Sequence, residues 1–448
     1  MSIRFYRSML GIAIPVALQN IVSSSVNLLD TFMIGQLGEV EIAGVGIANR
    51  IFFVMALILF GINSGSGIFY SQFWGRRDGA NLKKILGLTL GMGVVVSGVF
   101  FLLAFIFPEF LIGLYSRDLK VVEAGAGYLR IVSLGYVVTS VSFALSMALR
   151  SIGVTTPSLV NSVISLLVNC GLNYLLIFGK LGFPEMGVQG AAIGTLVARF
   201  VEVIFFIGVI YIRRYPLLGR FEEYWRYSRR FIRKYLDTAT PVMVNELFWG
   251  VGMTIHTVVF ARMGVETMAA LNMSKSLEGI IYVAFIGLSS ASVVLVGSSI
   301  GRGDTEEALE AGKRIFKATL ILGGLNCLIV LSVIEVFLSY YNVSLEVKEI
   351  SRAMLRYYSV LCALRGSATV CLTGIMRSGG DTKFGMWADL LTLWGLSVPL
   401  TVYGGLYLGL SPRVVYLLSK TDVVAKFIIG SRRLYSGRWI KNLVEDLE

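Results

Sequence analysis

Asp30 follows a 22-residue stretch, 8–29, that holds no charged side chain, and the nearest basic residues in the chain are Arg7 and Arg50. A carboxyl without a counter-ion in a low-dielectric setting favours its neutral form, so it can load and release a proton or a hard cation. The residues before it are not random. Asn20, Ser23, Ser24, Asn27, Asp30 and Thr31 recur at steps of three and four, which a helix displays as one polar stripe. Asn161, Ser165, Asn169 and Asn173 repeat every fourth residue and make a second polar face. Two readings stay open for these asparagines: hydrogen bonds between helices, or contact with an ion or substrate.

Other ionisable residues also fall in apolar surroundings. Arg199/Glu202 and Lys275/Glu278 stand at i, i+3, where opposite charges can pair on one helix face. Glu246 and the lone His256 precede Lys275, while Asp389 and Asp422 lie close to segment ends, where water can reach them. Glu246, His256, Lys275 and Glu278 form a candidate second proton or substrate site, and His256 also reads as a packed residue. Enzyme chemistry has little to work with: one histidine, no metal-ligand spacing, no nucleophile elbow and no phosphate loop. No cofactor is expected, and no metal beyond a Na⁺ ion at Asp30.

These residues are set in a chain of 448 with 55% hydrophobic and 15% charged residues and a mean hydropathy of +0.74. A soluble domain carries roughly 25% charge. Charge-free windows of 17 to 29 residues recur along the chain, and about 20 helical residues span a bilayer's hydrocarbon core. Barrel strands would alternate apolar and polar. The expectation is therefore an all-α polytopic membrane protein with twelve spans, at 8–35, 42–73, 85–107, 121–149, 158–179, 188–212, 237–262, 268–299, 314–337, 352–376, 385–404 and 412–430. The first apolar run reads as a membrane helix, since it continues through Asn20, Asn27 and Asp30 without a small-residue cleavage site. The four cysteines sit in apolar segments and read as core residues.

Charge placement orients the chain. With both termini cytoplasmic, inner segments hold 25 Lys and Arg and outer segments seven. The formal net charge of +12 follows from that asymmetry, and no nucleic-acid partner is expected. The densest block, 213–234, interleaves eight basic residues with six aromatics and should lie along an anionic inner leaflet.

The two halves repeat. At an offset of 226, Pro15, Thr31, Gly38, Ala43, Gly61 and Ser64 match Pro241, Thr257, Gly264, Ala269, Gly287 and Ser290. Gly75-Arg76-x-Asp78 matches Gly301-Arg302-x-Asp304, and at an offset of 227 Arg150-Ser151-x-Gly153 matches Arg377-Ser378-x-Gly380. Six spans per half give both halves one orientation, a parallel repeat of the transporter kind. The expected divisions are a six-helix lobe over 1–212, a linker over 213–236, a second six-helix lobe over 237–430 and a cytoplasmic tail over 431–448. A channel would show a filter loop or a charge ring, and neither is visible.

Within that repeat, Asn27-Leu-Leu-Asp30-Thr-Phe-Met-Ile-Gly35-Gln-Leu-Gly38 resembles the first-helix signature of the multidrug and toxic compound extrusion (MATE) family. Asn169-Cys-Gly-Leu-Asn173 and Gly187-Val-Gln-Gly190-Ala-Ala-Ile-Gly-Thr195 resemble its fifth and sixth helices. The resemblance runs from about residue 8 to 430. It implies two six-helix lobes around a V-shaped central cleft, and a monomeric antiporter of the cell inner (plasma) membrane, in contact with membrane lipids. Such a protein exports small organic compounds, cationic or aromatic, in exchange for H⁺ or Na⁺. The alternative it leaves open is flipping of lipid-linked oligosaccharides, as in the wider superfamily. Carried over by motif, the cation site is Asp30, Asn169, Asn173 and Thr195, with Asn27 on the same helix face as Asp30. Many relatives place a second aspartate where this chain has Asn173, and the loss of one anionic ligand favours H⁺ over Na⁺.

Overall fold

The computed structural model describes residues 2–447, and among them the chain is helical with no strand. The first helices are α1 (Ser2–Gly35), α2 (Glu39–Arg76), α3 (Gly79–Ile106), the short α4 (Pro108–Gly113), α5 (Leu119–Ser133), α6 (Tyr136–Ser151), α7 (Thr156–Ile177) and α8 (Gly187–Ile212). A short α9 (Phe221–Trp225) lies in the linker. Then come α10 (Arg229–Arg262), α11 (Val265–Gly301), α12 (Thr305–Ser339), α13 (Leu345–Thr369), α14 (Thr382–Thr392), α15 (Val398–Val402), α16 (Pro412–Leu418) and α17 (Thr421–Tyr435).

Among the described residues ten helices are long and apolar enough to cross a bilayer. The expected fourth span is α5 and α6, which meet at a 51° bend and make an eleventh if taken as one. The bend falls where Leu134 and Gly135 donate to Ile131 and Val132. These bonds reach back three residues and tighten the turn, and Gly135 adds the backbone freedom of glycine. The expected twelfth span is α16 and α17, of seven and 15 residues, broken at Ser419–Lys420 and carrying Lys420, Asp422 and Lys426. It is too interrupted and too charged to count by length and apolarity. The eleventh is also irregular: π-helical turns over 393–397 and 403–407 flank Pro399, which has no N–H to give to a regular ladder.

The chain forms two compact units. The first comprises 18–70 and 77–233; the second comprises the residues up to Ala17, residues 71–76 and those from Lys234 onward. In the first unit α7 packs along α8, and α5 and α6 pack on α8 as well. In the second, α11, α12 and α13 pack on one another and α17 packs on α13. Bilayer packing has little hydrophobic drive and depends on close approach. Gly75 and Gly301 show this: a Cβ on Gly75 would lie 2.1 Å from the Ser298 carbonyl oxygen, and one on Gly301 1.9 Å from that of Gln72.

The repeated Gly-Arg-x-Asp loops hold helix ends. Asp78 accepts from the Asn81 N–H at 3.0 Å to cap α3, and Asp304 accepts from the Glu307 N–H at 2.8 Å to cap α12. Arg76 donates to the Val444 carbonyl at 2.8 Å. Asp304→Ala should cost about 1 kcal/mol, the usual worth of an N-cap, with substrate affinity unchanged. Thermal unfolding alongside substrate binding checks it, and a loss of affinity at full stability would refute the structural role.

Candidate functional site

Asp30 comes from the last third of α1, and α7 presents Asn161, Ser165, Asn169 and Asn173, all buried. Asn173 donates through Nδ2 to Asp30 Oδ1 at 2.6 Å and to Asn169 Oδ1 at 3.4 Å. Asn169 in turn donates to the Thr195 hydroxyl on α8 at 3.3 Å. Three helices thus place Asp30, Asn173, Asn169 and Thr195 in one hydrogen-bonded chain. Tyr128 of α5, almost wholly buried, lies close to Thr195 and near enough to feel the charge of Asp30. The reading of the sequence missed Tyr128, because a tyrosine in an apolar helix resembles any packing aromatic.

Asp30 has no Lys or Arg nitrogen within salt-bridge distance among the described residues. Arg199, whose charge reaches it, is turned to Glu202 at 2.8 and 3.0 Å. Glu202 also accepts from Ser142 at 3.0 Å and Ser165 at 2.6 Å, so its charge is fully satisfied. The Asn173 carbonyl oxygen is buried without a hydrogen-bond partner. Asn27 is not brought into this group: its side chain is exposed, and its carbonyl accepts from Thr31 at 2.8 Å. A stripe on a helical wheel does not decide which of its members meet another helix.

The ionisable groups of the second unit are arranged differently. Glu246 accepts from Arg377 at 3.0 Å, with side-chain exposures of 12% and 7%. His256 is buried with Nε2 3.2 Å from the Ser397 hydroxyl. The i, i+3 pairing of Lys275 with Glu278 gives way to other partners. Glu278 is held by Arg365 at 2.7 Å and Tyr416 at 2.5 Å, with Lys420 at 3.6 Å, and Lys275 donates to Thr257 at 3.1 Å. Glu278 faces α13 and α16, where two cations and a phenol surround it more completely than one lysine on its own helix. Asp389 and Asp422 are not hydrated ends: both bind Lys426, Asp422 at 2.7 Å. Arg365, Lys420 and Lys426 stand as charges inside expected spans, so these cations are visible along the chain, although the carboxylate that each one meets is not.

A buried ion pair broken on one side costs about 3–5 kcal/mol, because the remaining charge stays buried. Glu246→Gln should therefore lower thermal stability sharply by removing the carboxylate from Arg377. Transport per folded molecule should keep the parent's pH dependence. A parent-like melting temperature with an altered pH profile would make Glu246 a transport group.

Fold and site describe a multi-pass helical membrane protein with a half-buried carboxylate that no lysine or arginine among the described residues pairs. The MatE family model matches residues 15–175 and 241–403, and the chain belongs to that family of transporters. The chain is 22% identical over 442 residues to a probable multidrug resistance protein NorM of Thermotoga maritima, covering 98% of this chain and 94% of that one. It is 22% identical over 412 residues to an uncharacterized transporter, YisQ, of Bacillus subtilis, covering 92% and 90%. A crystal structure of MATE in the bent conformation shares the fold, with a TM-score of 0.85 at 18% identity over 97% of this chain and 96% of that one.

Proposed function

We propose that this protein is a monomeric secondary antiporter that exports organic, cationic or aromatic compounds in exchange for an inward-moving cation, by alternating access. Both chain ends lie in the cytoplasm, as the Lys and Arg asymmetry favours, and the membrane in this reading is the plasma membrane. The substrate class rests on the likeness to relatives described as probable multidrug resistance proteins. Coupling is assigned to Asp30, Asn173, Asn169 and Thr195, with no other cofactor.

One observation carries the reading: Asp30 is a half-buried carboxylate held by a neutral amide and, among the described residues, by no cation. An intramembrane carboxyl of that kind is costly to keep unless it is used. Its surroundings offer one anionic ligand beside amide and hydroxyl oxygens, a set that suits a proton better than a sodium ion. Glu246 and Glu278 are paired with arginines and are read as holding the second unit together, and His256 and Lys275 as hydrogen-bonded neighbours there. The test is export of a lipophilic fluorescent cation from reconstituted vesicles under imposed proton or sodium gradients, in the parent and in Asp30→Asn. Gradient-independent movement of lipid-linked glycans, with no cation export, would favour the flippase.

A further inference from the structure

The linker does not simply join two halves. Its helix α9 is seated on α3, where a Cβ on Gly87 would lie 1.9 Å from the Tyr224 carbonyl oxygen. One turn deeper, a Cβ on Gly91 would stand 3.2 Å from the Trp225 ring. Beside this contact a cavity of about 650 Å³ opens, with Leu88, Met92 and Val95 of α3 as its floor and Trp225 and Tyr227 as its roof. Its floor lies within the expected hydrocarbon span 85–107, so the cavity faces acyl chains and offers them an apolar slot.

The rim has the opposite character. Arg226 stands between the two roof aromatics in the chain and Arg229 two residues after them, both exposed, and the linker over 213–234 carries eight basic residues against two acidic ones. Those two acids are already engaged. Glu223 accepts from Lys83 at 2.9 Å, and that hydrogen bond holds its carboxyl below the usual carboxylate range. Glu222 pairs with Arg226 at 2.7 Å, but both side chains are more than 70% exposed, and such a surface pair is weak. Phe221, 77% exposed, and Trp225, 42% exposed, present aromatic surface at the same level, where membrane interfaces favour it.

We propose that this groove is a binding site for one anionic phospholipid of the linker-side leaflet, with an acyl chain on the α3 floor under Trp225 and Tyr227 and its phosphate on Arg226 and Arg229. A free phosphate has no use for the groove, and a zwitterionic lipid fills it without a net charge for the rim. Basic residues at a membrane surface contribute about 1 kcal/mol each, so two give an anionic preference of roughly tenfold or more. The proposal concerns the lipid alone and does not depend on which ion drives transport.

Native mass spectrometry of the full-length protein in detergent, with phosphatidylglycerol and phosphatidylcholine of equal chain length, tests it. The parent should retain one phosphatidylglycerol at about tenfold or greater preference, and glycerol phosphate should not compete. The exposed double variant Arg226→Gln/Arg229→Gln should fold as the parent does and bind both lipids equally. Val95→Trp, which fills the floor, should lose both. Equal retention by the parent, or a preference that survives removal of the two arginines, would overturn the proposal. Competition by glycerol phosphate would reduce the site to an anion site on the surface.

Discussion

Asp30→Asn is expected to fold and insert normally and to bring gradient-driven export down to that of protein-free vesicles. The physical ground is the 2.6 Å hydrogen bond from Asn173 Nδ2, which an asparagine side-chain oxygen at position 30 can still accept. Shape and packing survive while titration and charge are removed. A coupling carboxylate must change its protonation or ion occupancy once in each cycle, so without titration the cycle has nothing to couple. Arg199 does not pair with Asp30, because its guanidinium is committed to Glu202. Vesicles with an imposed pH gradient and, separately, an imposed sodium gradient give the readout, with circular dichroism to show the fold. Export at the parent's rate under either gradient would make Asp30 a structural hydrogen-bond acceptor. If the parent responds to sodium and not to pH, the proton assignment falls while the role of Asp30 stands.

A large loss of stability is also expected from a residue outside every expected membrane span. Trp439→Ala should cost about 3–5 kcal/mol, the usual penalty for truncating a buried large aromatic. Trp439 is 0% exposed, its indole N–H donates to the Leu434 carbonyl at 3.0 Å, and its ring lies against Gly379 and Gly312. The segment that follows is held along its length. The Leu443 N–H donates to Gln72 Oε1 at 2.9 Å, and Gln72 Nε2 donates to the Ser378 carbonyl at 3.0 Å. The Lys441 N–H donates to the Gly379 carbonyl at 2.8 Å, and its ammonium joins Arg433 on the Asp381 carboxylate, which is 3% exposed. Removing Trp439 leaves a cavity and loosens this set of bonds. Thermal unfolding in detergent should show a fall of several degrees. A melting temperature within a degree of the parent's would mean that the C-terminal segment contributes little to holding α2, α11 and the 376–381 turn.

Much of this was legible along the chain. A bilayer demands apolar runs of about 20 residues and punishes charge within them, so the all-helical multi-pass architecture could be read from hydropathy, and Asp30 could be picked out by its isolation. The four-residue step of Asn161, Ser165, Asn169 and Asn173 predicts one face of one helix, and all four are buried on α7. The matched Gly-Arg-x-Asp strings point to equivalent loops, and both aspartates cap the helices that follow.

Sequence alone thus established the all-helical, multi-pass character of the chain and its family, and it singled out Asp30 among the carboxylates. Tertiary structure decided the partners of the other charges: Glu246 with Arg377 across 131 positions, Glu278 with Arg365 and Tyr416, and Asp389 and Asp422 sharing Lys426. It also decided that Asn27 stays outside the Asp30 group, that Tyr128 stands close to it, and that Trp439, Val444 and Leu447 beyond the last helix are buried. The physical reason is that hydropathy and periodicity are properties of one helix. The choice of ion-pair partner depends on how helices rotate and cross, and that geometry is set by close contacts such as Gly75 on Ser298, which no single segment encodes.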